Sequence, residues 1–261
     1  MKNKIFWWVF GFIVFVIFRI ISSVGLDEDT SIECFEESLK DTRTGNYLHT
    51  RNWMSNHDQH CLTYESSMLT SEASKADRER LNHPMENMKY NQHWGTIYAQ
   101  LVEQNRERLE YFVDSLRNHL ALGAMTPSQQ LSTIVSLVQD IPYVLIKTGS
   151  CDEGTNSGSC EGGHKFGVLS GPEFIYSLKG DCDTRCLLLY AVLEALGYDA
   201  MIMISKQYRH AMLAVNTTAT GDYYMYQHKK YYFWETTGKG WQIGMLPPDM
   251  QNINYWKIAL S

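Results

Sequence analysis

The stretch Lys179-Gly180-Asp181-Cys182-Asp183-Thr184-Arg185-Cys186 leads into the apolar residues 187–196 and stops at Gly197, which reads as one complete, capped helix. Asp181 is a good N-cap, since its carboxylate accepts from the free N–H groups of a first turn, and Gly197 suits the left-handed position that closes a helix. Cys182 is then the first helical residue. There the unpaired N–H groups and the positive end of the helix dipole favour an anion, which predicts a lowered thiol pKa and a thiolate able to act as nucleophile. The competing reading is a structural cysteine on a core helix.

A chain of 261 residues, 44% of them hydrophobic, fills one large domain or two small ones. Its net charge of −6 and the lack of a basic run after residue 5 exclude a nucleic-acid footprint. Residues 5–18 form an apolar run preceded by Lys2 and Lys4 and followed by Arg19, with Asp27, Glu28 and Asp29 beyond it. Residues 1–24 are therefore expected to be a signal anchor or a signal peptide, with the positive side in the cytoplasm and the rest of the chain exported. The weak cleavage site at 22–25 favours an anchor in the membrane. Exported chains can form disulfides, and the six cysteines are Cys34, Cys61, Cys151, Cys160, Cys182 and Cys186. Cys151 and Cys160 bracket a Gly/Ser/Asn loop that a local bond could tie, Cys34 with Cys61 is the remaining pairing, and Cys186 is left as a core thiol. Sequence does not fix connectivity, and the alternative is that none is bonded.

Residues 25–90 read as a polar N-terminal extension without clean periodicity, and residues 91–261 as the catalytic domain. Trp94, Ile97, Tyr98 and Leu101 share one helical face, and Leu109, Phe112, Val113, Leu116 and Leu120 another, with a break near Gln104. Thr126-Pro127 starts a further helix carrying Leu131, Ile134, Val135 and Val138 to an end before Pro142, which leaves Gln139 near its terminus. Residues 147–167 form a glycine-rich loop with His164. Beyond Gly197 the pattern turns to strands: 200–205, then 209–215 with His210, Met212 and Ala214 on one face, then a hairpin of 223–226 and 231–237. Helices followed by an antiparallel meander make an α+β fold.

His210 opens one strand and Glu235 ends another. A histidine within reach of Cys182 could take its proton, and a carboxylate on the far ring nitrogen would fix the tautomer. The three-part order of Gly180-Asp181-Cys182-Asp183, His210-Ala211 and Trp234-Glu235-Thr236-Thr237, with Val138-Gln139-Asp140-Ile141-Pro142-Tyr143 upstream, resembles the transglutaminase-like superfamily over residues 94–250. The resemblance implies a papain-like core with an N-terminal helical part and the nucleophile at a helix N-terminus packed on an antiparallel sheet. It also implies Cys182 as nucleophile, His210 as general base and then acid, and Glu235 as orienting carboxylate, where the family more often has aspartate. Gln139 is an oxyanion-donor candidate beside the Cys182 backbone N–H.

These readings give a cysteine-dependent acyl-transfer enzyme that attacks an amide of a protein or peptide substrate through a thioester, most simply a peptidase, with no cofactor. The alternative is a non-catalytic transglutaminase-like scaffold or interaction module. A zinc site from Cys182, Cys186 and His210 is a third reading, disfavoured because a fourth ligand is missing.

Overall fold

A three-stranded antiparallel sheet packs on the helices, and the helix that begins at Cys182 packs on a five-stranded antiparallel sheet. The computed structural model describes residues 34–82, 87–152 and 158–261, and they belong to one compact unit. The expected anchor or signal segment, residues 1–24, lies outside the described residues. The first sheet is β1 (Glu37–Lys40), β2 (Tyr47–Ser55) and β3 (Asp58–Ser66), in that order. Helix α1 (Met68–Arg80) follows, capped by the Ser67 hydroxyl on the Thr70 N–H. Next come α2 (Tyr90–Asn105), α3 (Glu110–Leu122) and α4 (Pro127–Asp140), which match the expected apolar stripes, with the break at Arg106. Thr126 and Gln129 form a capping box at the start of α4, with Pro127 in its first turn.

A short parallel pair, β4 (Leu145–Ile146) and β5 (Cys160–Glu161), and helix α5 (Gly171–Ser177) lead to α6 (Cys182–Ala195). The second sheet contains β6 (Ala200–Ser205), β7 (His210–Asn216), β8 (Tyr223–Tyr226), β9 (Lys229–Trp234) and β10 (Lys257–Leu260), in the order β10-β6-β7-β9-β8. The expected meander is present, with the C-terminal strand added at one edge. The coarse α+β assignment holds.

Residues 34–66 fall in the stretch read as a polar extension without clean periodicity. They build a sheet whose buried face alternates as His49, Arg51, Trp53 and Ser55 on β2 and His60, Leu62, Tyr64 and Ser66 on β3. Five of those eight inward residues are polar, so the period-2 apolar signal is lost in the sequence although the alternation is regular. Several of these polar groups find partners after burial, although Arg51 Nε has none. Arg51 pairs with Asp140 at 3.0 Å, the Trp53 indole N–H donates to the Thr133 carbonyl at 3.1 Å, and His49 Nε2 lies 3.2 Å from the Tyr176 carbonyl oxygen.

Helix α6 is buried on almost every side, as its near-continuous apolar sequence requires. It packs on α2, α4 and α5 and on strands β6 and β7. The main core lies between the helices and one face of the large sheet, formed by Ile202, Ile204, Ala211, Leu213, Val215 and Trp234. The opposite face carries Met203, Met212, Ala214, Phe233 and Trp256 in a second cluster. The period-2 parity read for β7 is thus the parity of its two cores. Gly95 brings α2 onto β10, since a Cβ there would stand 2.1 Å from the Ala259 carbonyl oxygen. Two disulfides, Cys34–Cys61 and Cys151–Cys160, are formed, and Cys182 and Cys186 are free. This pattern fits an oxidising, extracytoplasmic environment.

Candidate active site

The start of α6 is fixed by three groups. Asp181 Oδ1 accepts the Thr184 N–H at 3.2 Å, closing the N-cap. Gly180 lies against the Thr184 methyl and the Phe174 ring, and a Cβ there would come within 2.8 Å and 3.0 Å of them. Arg185, fully buried, donates to the carbonyls of Gly180, Val138, Ile141 and Thr236 at 2.5 to 3.2 Å. One guanidinium therefore ties the cap of α6, the end of α4 and the residue after Glu235 into a single frame. Burial is the main influence on that guanidinium and lowers its pKa.

His210 opens β7 and Glu235 directly follows β9, its neighbour in the sheet. His210 Nε2 lies 2.8 Å from Glu235 Oε2. The other oxygen, Oε1, accepts the Thr236 N–H at 2.8 Å, the Thr237 N–H at 2.8 Å and the Thr237 hydroxyl at 2.6 Å. The Glu-Thr-Thr sequence thus supplies its own cradle. Burial opposes ionisation of Glu235, but the His210 and Thr237 contacts outweigh it and the carboxyl sits below its usual range. The two strand-borne residues singled out in the sequence are brought together.

Cys182 is 7% exposed, and the backbone N–H of Ala211, the residue after His210, faces its sulfur. Its thiol hydrogen bond goes to Asp183 Oδ2, at 3.7 Å, and not to His210. The Tyr98 hydroxyl donates to the other oxygen of Asp183. The expectation of a lowered thiol pKa is corrected. Burial first, then the charges of Asp183 and Asp181, push Cys182 well above the ordinary thiol value, and the Ala211 N–H offsets only part of this. The helix-dipole argument considered the backbone alone, whereas two carboxylates share the same turn. They disturb each other too: burial and then Asp183 raise Asp181 to about 7, and burial raises Asp183 against the opposing Tyr98 bond and His210 charge.

Gln139 is also corrected. Its side-chain N–H groups donate to the carbonyls of Glu235 at 2.6 Å and Trp241 at 3.0 Å, so neither amide proton is left for an oxyanion. It is a buried strut under the carboxylate. Tyr143, four residues on, occupies the position beside Cys182 instead. A bridge to Gly180 holds its backbone, its ring lies 5.7 Å from the Arg185 guanidinium, and its phenol oxygen faces the Cys182 backbone N–H. Asp183, Tyr98 and Tyr143 were not singled out in the sequence as site residues, although Tyr143 closes the Gln-x-x-Pro-Tyr segment.

Cys186 Sγ lies 3.8 Å from the Thr236 hydroxyl, so it does not join Cys182 and His210 in a ligand set. Among the described residues no group of three or more His, Cys, Asp or Glu side chains is arranged to hold a metal ion. His164 contacts Glu161 and Arg78 and none of Cys182, His210 and Glu235. No protein-family model matches the chain, and no curated protein or solved structure does.

Proposed function

We propose that the chain is an exported, membrane-anchored cysteine acyl-transfer enzyme of the transglutaminase-like superfamily, acting on an amide of a protein or peptide through a thioester. The observation that carries this reading is the 2.8 Å bond between His210 and Glu235, formed at two strand ends next to the helix N-terminus that bears Cys182. With Nε2 held by the carboxylate, Nδ1 is the ring nitrogen left to move a proton. In turnover, His210 takes the Cys182 proton as sulfur attacks the amide carbonyl, so that an S–C bond forms. It then returns the proton to the leaving nitrogen as the C–N bond breaks. Water or an amine resolves the thioester. The Cys182 backbone N–H becomes a donor to the developing oxyanion once substrate displaces the Tyr143 phenol that faces it.

The competing reading, a non-catalytic module, draws on the same burial of the Cys182 thiol. Incubating wild-type and Cys182→Ala full-length chains with extracytoplasmic proteins of the source cell separates the two. New N-termini seen only with wild type mean peptidase activity, ammonia release without cleavage means deamidation, and cross-linked products mean transamidation. Identical outcomes with both chains would replace the enzyme by the scaffold.

A further inference from the structure

The thiol at the centre of this site is bonded to the wrong partner for catalysis. Asp183 Oδ2 lies 3.7 Å from the Cys182 sulfur, and the Tyr98 hydroxyl from α2 grips Oδ1. The carboxyl also faces His210, and its ionised form is favoured whenever that ring is protonated. Further groups around it are Asp181 on the same turn, Tyr90 from α2 and Tyr143 from the segment before β4. Cys186 lies one turn deeper on α6. None of these is a lysine or arginine that would draw a thiolate out. Of the pair sharing the proton, a carboxyl is ordinarily the far stronger acid, so the proton stays on sulfur.

We propose that Asp183 is a positioning residue that keeps the Cys182 thiol protonated and bonded away from His210 in the resting protein, while the Tyr98 hydroxyl takes up part of the carboxylate's charge. The reading rests on Cys182 being the nucleophile. It gives the arrangement a purpose suited to the compartment. A thiolate, not a thiol, is what exchanges with disulfides and oxidises, and this chain carries two disulfides of its own. Substrate carbonyl entering beside Cys182 displaces the thiol from Asp183 and hands its proton to His210.

The test is the pH midpoint of Cys182 alkylation by iodoacetamide in the full-length chain under non-reducing conditions, followed by peptide mass mapping so that Cys186 is counted separately. No substrate is needed, so the result does not depend on whether an amide substrate has been found. The wild-type midpoint should lie above the roughly 8.5 of a free thiol. Asp183→Asn should lower it, and alkylation at neutral pH should speed up on the order of tenfold for every pH unit by which the midpoint falls. Tyr98→Phe should move it the other way, because the Asp183 charge then loses its donor; loosened packing would lower the midpoint in both variants. A wild-type midpoint below that of a free thiol overturns the proposal without any variant. So does a midpoint that Asp183→Asn leaves unchanged or raises. Should Asp183→Asn not fold, the wild-type and Tyr98→Phe profiles decide, and a lowered Tyr98→Phe midpoint overturns it.

Discussion

The Glu235 carboxylate holds His210 Nε2 at 2.8 Å across neighbouring strand ends, 25 residues apart in sequence, while its other oxygen is filled by three donors from Thr236 and Thr237. A carboxylate so fully bonded cannot rotate to offer a proton. It can only orient the ring and stabilise its cation, which is the role of the third member in a nucleophile–histidine–acid set.

Glu235→Gln keeps the shape but turns one oxygen into an N–H donor, which forces the wrong tautomer on His210. Activity on an amide substrate should fall by about 10³ to 10⁴, the scale seen when such a carboxylate becomes an amide. Kinetics on the substrate identified with wild type is the check. A loss of less than about tenfold would remove Glu235 from the catalytic set.

Arg185 supports four carbonyls from inside the core, and replacing it with leucine would leave all four without their donor. We expect Arg185→Leu to cost about 3 kcal/mol or more, since hydrogen bonds from a charged donor contribute about 1.5 to 3 kcal/mol and buried orphaned acceptors add to the loss. Urea unfolding measures it. A change under about 0.5 kcal/mol would mean that water or relaxation replaces the guanidinium.

Much of this frame was legible in the sequence because its signals are local. The Asp181 cap and Gly197 stop, the Thr126-Pro127 start of α4 and the alternation of β7 each depend on neighbours within a few residues. What was not legible depends on distant partners. The sheet of β1 to β3 hides behind inward-facing His49, Arg51, Ser55, His60 and Ser66, whose polarity is balanced by helices that come later in the chain. Tyr98 meets Asp183 across 85 residues, and Gln139 meets Glu235 and Trp241 across 96 and 102. No periodicity encodes those meetings, and the second reverses the use of Gln139; the acidity of Cys182 is reversed by its burial in the fold together with its sequence neighbours Asp183 and Asp181.

The histidine pair between the small sheet and the helices should make stability fall in mild acid. His60 Nδ1 lies 3.3 Å from His119 Nε2, and His60 Nε2 lies 3.5 Å from the Thr133 hydroxyl. Burial lowers both pKa values, with the facing His60 adding to the fall at His119, while Asp58 and the Ser55 backbone partly oppose it at His60. The unfolded chain, with histidines near 6.5, then binds more protons than the folded one just below that pH. Stability is complete above about pH 7 and is lost as pH drops through the unfolded value toward the lower folded values. Thermal unfolding from pH 7.5 to 5 should show this, and His119→Gln should flatten the slope. An unchanged slope in that variant would assign the acid sensitivity to other groups.

Opening the Cys34–Cys61 bond should destabilise the chain, since it closes a sequence separation of 27 residues that includes most of the first sheet. The chain-entropy argument gives about 3 to 4 kcal/mol for a loop of this size. A Cys34→Ser, Cys61→Ser double variant compared with wild type by urea unfolding tests it. A loss below about 1 kcal/mol would mean that hydrogen bonds between β1, β2 and β3 already hold the residues together in the unfolded reference state.

Gln139 separates a strut from a catalytic donor. Its two amide protons hold the Glu235 and Trp241 carbonyls, so Gln139→Ala leaves two acceptors unpaired at and near Glu235, at about 1 to 3 kcal/mol for a buried orphan. The Glu235 backbone should then shift, and with it the carboxylate that aligns His210. A strut fails in stability first: the unfolding midpoint drops, and whatever activity is lost returns in part at lower temperature or with bound substrate, which favours the folded geometry. An oxyanion donor fails differently, with kcat falling about 10² to 10³ at unchanged stability, because only the transition state loses its bond. Measuring the unfolding midpoint and kcat of the same Gln139→Ala preparation distinguishes them. We expect the first pattern, and a large kcat loss with wild-type stability would return Gln139 to the oxyanion hole.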